Sequence, residues 1–393
     1  MAVVFVHGVG NHEETETKKV QAFRRDLFSR FLLPVINVVP RDDAVLLPWW
    51  GKEGAQRRWG NACRPGIKES LGTASDASVV QLLAAAEPPE SGRTHNVVLD
   101  TARDSLADAV DLLYSALDIE NCSSDELAAL ADLAVPLASY CEQHPQFDPT
   151  DHFWDNVRDD ASLIEALVDA GREPAPHKEQ LGTRAARDRV SRLFGPTARR
   201  LRIALVGTPV RLSAGGLRRL TDKRVQPFLG DVFKYLALRG TPEHPGKIIE
   251  IVLDDLRAAV AGAPGREPLV VVAHSMGGNI VYDIASHFDP ELVIDVLVTV
   301  GSQVGLFAEF SAFQGVPCDL PNPDRRKVPA CTNIRSWINV VDRSDILCYC
   351  AEPVFEGVQD HLYASGTLWA HAGYFEQPNF YSWIAKSVQV AMK

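Results

Sequence analysis

At both ends of the chain, short apolar runs take turns with longer segments in which apolar residues recur every three or four positions. Ala2 to Val6 is a Val-rich run punctuated by Gly8 and Gly10, the pattern of a buried strand. Thr15 to Phe31 follows, with Val20, Phe23, Leu27 and Phe31 on one helical face. Ala44 to Leu47, leading into Pro48-Trp49-Trp50, predicts a second strand. From Lys247 the rhythm resumes. Ile248 to Val260 predicts a helix, with Ile249, Val252, Leu256 and Val260 in register. Leu269 to Ala273 is apolar throughout, Met276 to His287 is helical, and Val296 to Val300 and Ile334 to Val341 are further strands before a closing helix over Phe380 to Met392. Strands apolar at every position are covered on both faces, as in a parallel sheet. Strands and helices in alternation predict a mostly parallel central sheet flanked by helices, an α/β fold.

Between residues 51 and 226 the strand signal stops. Leu99, Ala102, Leu106, Val110, Leu113 and Leu117 are spaced for one helix over Val97 to Leu117, and Asp125 to Cys141 and Ala161 to Ala170 also read as helices. The predicted organisation is a core made of 1–50 and 227–393, with a mainly helical cap inserted at 51–226. Charge within that insertion is divided. Residues 100–173 hold eighteen acidic residues against three arginines, and residues 184–224 hold twelve basic against two acidic. The two halves either face each other and solvent, or the basic half, with Leu201, Ile203, Leu205 and Val206 interleaved, makes a peripheral contact with anionic lipid or substrate.

The whole chain of 393 residues carries a formal net charge of −11, which argues against a nucleic-acid partner. Seven cysteines, odd in number and scattered, make a poor disulfide framework. Cys348 and Cys350 lack a second pair at zinc-ligand spacing, so no metal or other cofactor is implied. No basic segment precedes a long apolar run and no stretch is long enough to span a bilayer. The expectation is a cytoplasmic protein.

The chemistry concentrates in Leu269-Val-Val-Val-Ala-His-Ser-Met-Gly-Gly278. A buried strand ends, Ser275 follows, and a helix begins, with small residues at 273, 277 and 278. A serine on so sharp a turn is exposed at a helix N-terminus, and bulky neighbours would collide with the adjoining strand and helix. This segment resembles the nucleophile elbow of the α/β-hydrolase superfamily, with Ala273 in place of the first glycine. Phe5-Val6-His7-Gly8-Val9-Gly10 resembles the same superfamily's His-Gly oxyanion loop.

The resemblance covers roughly 1–50 and 247–393 and implies an α/β-hydrolase fold and a serine hydrolase of esterase or lipase type. Its order of catalytic residues, Ser then acid then His, implies Ser275 as nucleophile and His371, in Leu368-Trp-Ala-His-Ala-Gly-Tyr-Phe375, as base. His361 is the competitor. The acid falls in the turn after Ile334 to Val341, with Asp345 preferred over Asp342. Oxyanion donors would be the backbone N–H groups of Val9 and Met276. Gly8, Gly10 and His274 would lie against the substrate, a small-molecule or lipid-like acyl compound. His7 reads as a loop-holding residue, and Asn11, His12 and Glu13 as possible pocket lining. Phe228 to Leu236 resembles a stretch of lipase-like hydrolases, leaving Asp231 and Tyr235 as either pocket-facing residues or a helix cap and a core tyrosine. Phe307, Phe310 and Phe313 either line an acyl pocket or belong to the core. Amidase, thioesterase or acyltransferase chemistry would use the same residues, and a non-catalytic binding module on this fold is the alternative from another class.

Overall fold

In the computed structural model the described residues are 3–10, 14–41, 43–56, 96–171 apart from 118, 120, 121, 146 and 149, then 190, 193–195, 197, 228–262, 267–364 and 370–393. Most of the basic segment 184–224, and Asn11, His12 and Glu13, lie outside them.

Six parallel strands form one sheet in the order β2-β1-β5-β6-β7-β8. They are β1 (Val3–Val6), β2 (Val45–Leu46), β5 (Val270–His274), β6 (Val296–Val300), β7 (Trp337–Val341) and β8 (Val358–Leu362). A separate two-stranded antiparallel ribbon joins β3 (Gly240–Thr241) and β4 (His244–Pro245). The period-two geometry of a strand divides the sheet's apolar side chains between two buried clusters. Val3, Phe5, Val270, Val272, Val296, Val298, Val300, Ile338 and Val340 face one cluster, while Val4, Val6, Val271, Ala273, Leu297 and Trp337 face the other. Both faces are therefore core, and that is why these strands are apolar at consecutive positions.

Helix α1 (Glu14–Val35) covers the first face together with the C-terminal helix Pro378–Ala391, through Phe23 and Leu27 of one and Phe380, Ile384 and Val388 of the other. The second face is covered by Lys247–Ala261 and Met276–Asp283, through Ile249, Val252, Leu256 and Ile280. Residues 284–288 continue Met276–Asp283 as one wider turn.

The described residues between 51 and 226 are mainly helical: α2 (Val97–Asp104), α3 (Leu106–Ser115), α4 (Ser124–Gln143) and α5 (Asp160–Ala170). The single helix expected over Val97 to Leu117 is broken. Ser105 adopts extended angles and its side chain accepts from the Asp108 N–H, capping α3. These helices join the first cluster through Val98, Val110, Leu130, Leu137 and Leu163, so they extend the layer of α1 and the C-terminal helix. Part of their acidic surface is met there by cations: Arg30 of α1 lies 2.5 Å from Asp132, and Lys386 lies 2.6 Å from Glu142. Among the described residues no helix is long and apolar enough to cross a membrane.

The strand order reverses direction at β1. The chain passes from β1 outward to β2, whereas β5 lies on the other side of β1. The loops leaving β1 and β5 therefore diverge at the carboxyl edge of the sheet and open a crevice, where ligands of open α/β sheets bind.

Candidate active site

Ser275 stands at that switch point. It follows β5 directly, at φ 54° and ψ −125°, and caps helix α6, the label we give Met276–Asp283. A left-handed φ is costly for a residue with a side chain, and the surroundings enforce it. The Ser275 N–H donates to the Val300 carbonyl at 2.9 Å and its own carbonyl accepts from the Gly278 N–H and the Ser302 hydroxyl, each at 3.0 Å. The small residues behave as steric necessity demands. A Cβ at Gly277 would lie 2.3 Å from the Val6 carbonyl oxygen, and one at Gly278 would lie 2.2 Å from Ser302 Oγ.

An imidazole and a carboxylate reach Ser275 from two later loops. His371 Nε2 is 2.8 Å from Ser275 Oγ, and His371 Nδ1 is 2.9 Å from Asp345 Oδ2 and 3.1 Å from Oδ1. Since the carboxylate accepts, Nδ1 carries the proton and Nε2 is left to accept from the serine hydroxyl. The Asp345 side chain is fully buried, and the His371 side chain keeps 17% of its surface exposed. Two further donors hold the carboxylate: the Leu347 N–H to Oδ1 at 2.9 Å and the Tyr374 hydroxyl to Oδ2 at 3.1 Å. Burial, and then the Asp345 charge, push the Tyr374 phenol far above its ordinary value, so it serves as a donor only.

Of the two aspartates in this turn, Asp345 meets His371. Asp342 accepts from the Ser344 N–H at 2.7 Å and shapes the turn. His361 stands on β8 with its ring 5.7 Å from that of Trp383, apart from this chain of groups.

The loop after β1 lies over the serine. A Cβ at Gly8 would fall 2.7 Å from Ser275 Cβ and 3.2 Å from its Oγ, so only glycine fits. Gly10 has φ +84°, a second position where glycine relieves strain. His7 stacks on Trp50 at 4.9 Å between ring centroids, its Nδ1 is 2.7 Å from the Gly8 carbonyl, and the Trp50 indole donates to the His7 carbonyl at 3.0 Å. It is thus built into the loop's own framework. Asp231, fully buried, accepts from the Gly10 N–H at 3.2 Å and the Ala55 N–H at 2.5 Å, fastening the far end of the loop. Tyr235 is directed elsewhere and donates to Asp283 at 2.7 Å within a buried cluster completed by Arg239.

His274, expected against the substrate, is bonded within the protein. Its Nε2 bonds to the carbonyl of His371 at 2.6 Å. Phe307 and Phe313 are buried against each other, with Phe313 also against Tyr282, while Phe310 is exposed. Among the described residues no three His, Cys, Asp or Glu side chains are grouped as a metal site requires.

Two contributors escaped sequence reasoning. Gly301, at φ +55°, leaves the space that Asp345 and His371 occupy, since a Cβ there would lie 2.8 Å from Asp345 Oδ2 and 3.4 Å from His371 Nδ1. A glycine immediately after the apolar run Val296 to Val300 was the available signal. Tyr374 lies three residues past His371, one helical turn on, and only the pairing with Asp345 reveals it.

A hydroxyl, an imidazole and a carboxylate in one hydrogen-bonded chain can move the hydroxyl proton onto the imidazole and steady the resulting cation. Compared with known proteins, the chain matches no family model, no curated protein and no solved structure.

Proposed function

We propose that the protein is a serine hydrolase of the α/β-hydrolase fold, acting on carboxylic esters through an acyl-enzyme on Ser275. The observation that carries this reading is the unbroken chain from Ser275 Oγ through His371 to Asp345, at 2.8 Å and 2.9 Å, on a strained strand-to-helix turn at the sheet's switch point. His371 removes the hydroxyl proton as Ser275 attacks the acyl carbon. Asp345 holds the tautomer and balances the imidazolium. The Met276 N–H at the start of α6 and the Val9 N–H on the loop over the serine are the proposed oxyanion donors, aided by the helix N-terminus. His371 then protonates the leaving alcohol, and water attacks the acyl-enzyme with His371 as base. Residues 1–50 and 227–393 form the hydrolase core in this reading.

Ser275 has no exposed surface beneath Gly8. The bond cleaved fixes the substrate class, and the same groups would serve amides, thioesters or transfer to another alcohol.

The test is turnover of chromogenic acyl esters of graded length, together with labelling by a fluorophosphonate. Ser275→Ala should fold normally, lose labelling completely and fall by about 10⁶-fold in kcat. A Ser275→Ala protein with undiminished hydrolysis, or a wild type inert to both reagents, rules the reading out.

A further inference from the structure

His274 is the last residue of β5, next to the nucleophile, and the reading above gives it no task. Its Nε2 lies 2.6 Å from the His371 carbonyl oxygen. A carbonyl only accepts, so Nε2 is the donor and carries the ring's proton. Nδ1 is then an acceptor and faces the glycine loop, 3.3 Å from where a Cβ on Gly8 would stand. The ring is packed at 5.0 Å from the His371 ring and 5.4 Å from that of Phe375, centroid to centroid. Its place is thus between the base and the loop over the serine.

Resting on the serine-hydrolase reading, we propose that His274 is a positioning residue for that reaction, a neutral Nε2–H donor that clamps the backbone of His371 so that its imidazole stays between Ser275 and Asp345. The Asp345 pair fixes the imidazole at Nδ1. It does not fix the backbone, and the helical segment Ala370–Gly373 that carries His371 is only four residues long. The clamp acts there. It also couples base and nucleophile through one rigid strand end, because residues 274 and 275 are consecutive.

Charge bears on this role. Burial and the surrounding groups His371, Arg24 of α1 and His7 hold the His274 imidazole well below its ordinary pKa. It is therefore neutral when His371 takes up the serine proton. A cation at 5.0 Å from that developing imidazolium would oppose the step, whereas a neutral donor does not.

Full-length wild type, His274→Phe and His274→Gln would be compared in phosphonylation of Ser275 by a fluorophosphonate and in turnover of a chromogenic ester. Phenylalanine keeps the ring's shape and lacks the donor. Glutamine brings an amide N–H to a similar reach. His274→Phe should lose about tenfold in labelling rate and kcat, the equivalent of one hydrogen bond of about 1.4 kcal/mol, with KM nearly unchanged. His274→Gln should recover to within about threefold of wild type. Nitrogen-15 NMR of the wild type should show an Nε2–H tautomer for the histidine whose signals vanish in His274→Gln. Full activity in His274→Phe, a His274→Gln protein as slow as His274→Phe, or an Nδ1–H tautomer would each overturn the inference while leaving a labelled, active wild type and hence the hydrolase reading intact. A wild type that neither labels nor hydrolyses would overturn both.

Discussion

Asp345 and Asp111 are both buried aspartates close to the C-terminal third of the chain, yet their surroundings differ in kind. Asp345, on the loop after β7, accepts from an imidazole, a backbone N–H and a phenol. Asp111, on α3 of the insertion, accepts on Oδ1 from the Asn379 N–H at 3.3 Å and its side-chain amide at 3.1 Å, with the Tyr363 hydroxyl a long 3.5 Å from Oδ2. One carboxylate has a partner that would become a cation in the proposed reaction. The other joins the insertion to the start of the C-terminal helix through neutral donors, and burial, with the nearby Asp108 charge, pushes it up to about 7. A buried carboxylate costs stability unless its charge is answered. The comparison therefore sets a carboxylate that faces an imidazole beside one whose charge the fold suppresses.

The largest expected effect is at the first of the pair. In Asp345→Asn the amide nitrogen replaces one oxygen and then faces a donor, the Leu347 N–H on one side or the Tyr374 hydroxyl and His371 Nδ1–H on the other. The tautomer of His371 is disturbed and the imidazolium loses its counter-charge. On the proposed mechanism kcat falls about 10⁴-fold, read as initial rates on a chromogenic ester, while the donor left unpaired in a buried site lowers stability by about 1–3 kcal/mol. Retention of activity within tenfold would remove the distinction between the two aspartates.

A smaller effect sharpens the same point through space instead of charge. Gly301→Ala puts a methyl group 2.8 Å from Asp345 Oδ2 and 3.1 Å from the Tyr374 ring, at a backbone φ of +55°. Displacing the acid should lower kcat/KM by about 10²-fold. The matching control is Gly357→Ala, at φ +77° with only Ala330 Cβ nearby at 3.3 Å. Both substitutions carry the left-handed penalty of about 1–2 kcal/mol, seen as a lower denaturation midpoint, and only the first should lose activity. Equal activity in the two variants would show that the space behind Asp345 does not matter.

What the sequence made legible follows from where burial is uniform. β1, β5 and β6 are readable because both faces are core and every position but His274 and Thr299 is apolar. Ser275 was readable because the steric demands on 273, 277 and 278 leave a trace in residue size. β8, Val-Gln-Asp-His-Leu, gave no signal, since it is the edge strand and only Val358 is buried. The break in Val97 to Leu117 was hidden because Ser105 interrupts a pattern whose apolar spacing continues on both sides. Asp231, 221 residues from Gly10 along the chain, holds the loop over the serine through a backbone N–H. Such a contact leaves no pattern, because the partner's residue type is irrelevant to it. The His274 bond to the His371 carbonyl is hidden for the same reason.

The second aspartate supplies the smallest effect, and its sign follows from proton counting. An unfolded chain ionises Asp111 near its ordinary value of 3.8, whereas the folded protein holds the proton until about pH 7. Between those values the unfolded state binds fewer protons, so stability falls as pH rises, and above about 7 the full cost is present. At about 1.4 kcal/mol per pKa unit that cost is about 4 kcal/mol. Asp111→Asn abolishes the titration, and the value of about 7 already includes the bonds from Asn379, so the part of the cost that develops above pH 5 spans about two pH units at about 1.4 kcal/mol each. The advantage of the variant over wild type in unfolding free energy should therefore be about 3 kcal/mol greater at pH 9 than at pH 5, measured by urea denaturation. Ester hydrolysis at pH 8 should stay within about twofold of wild type, because Asp111 touches none of Ser275, His371 or Asp345. A difference between the two proteins that does not change from pH 5 to pH 9 would mean that Asp111 is ionised throughout. The contrast with Asp345 would then lie in geometry alone.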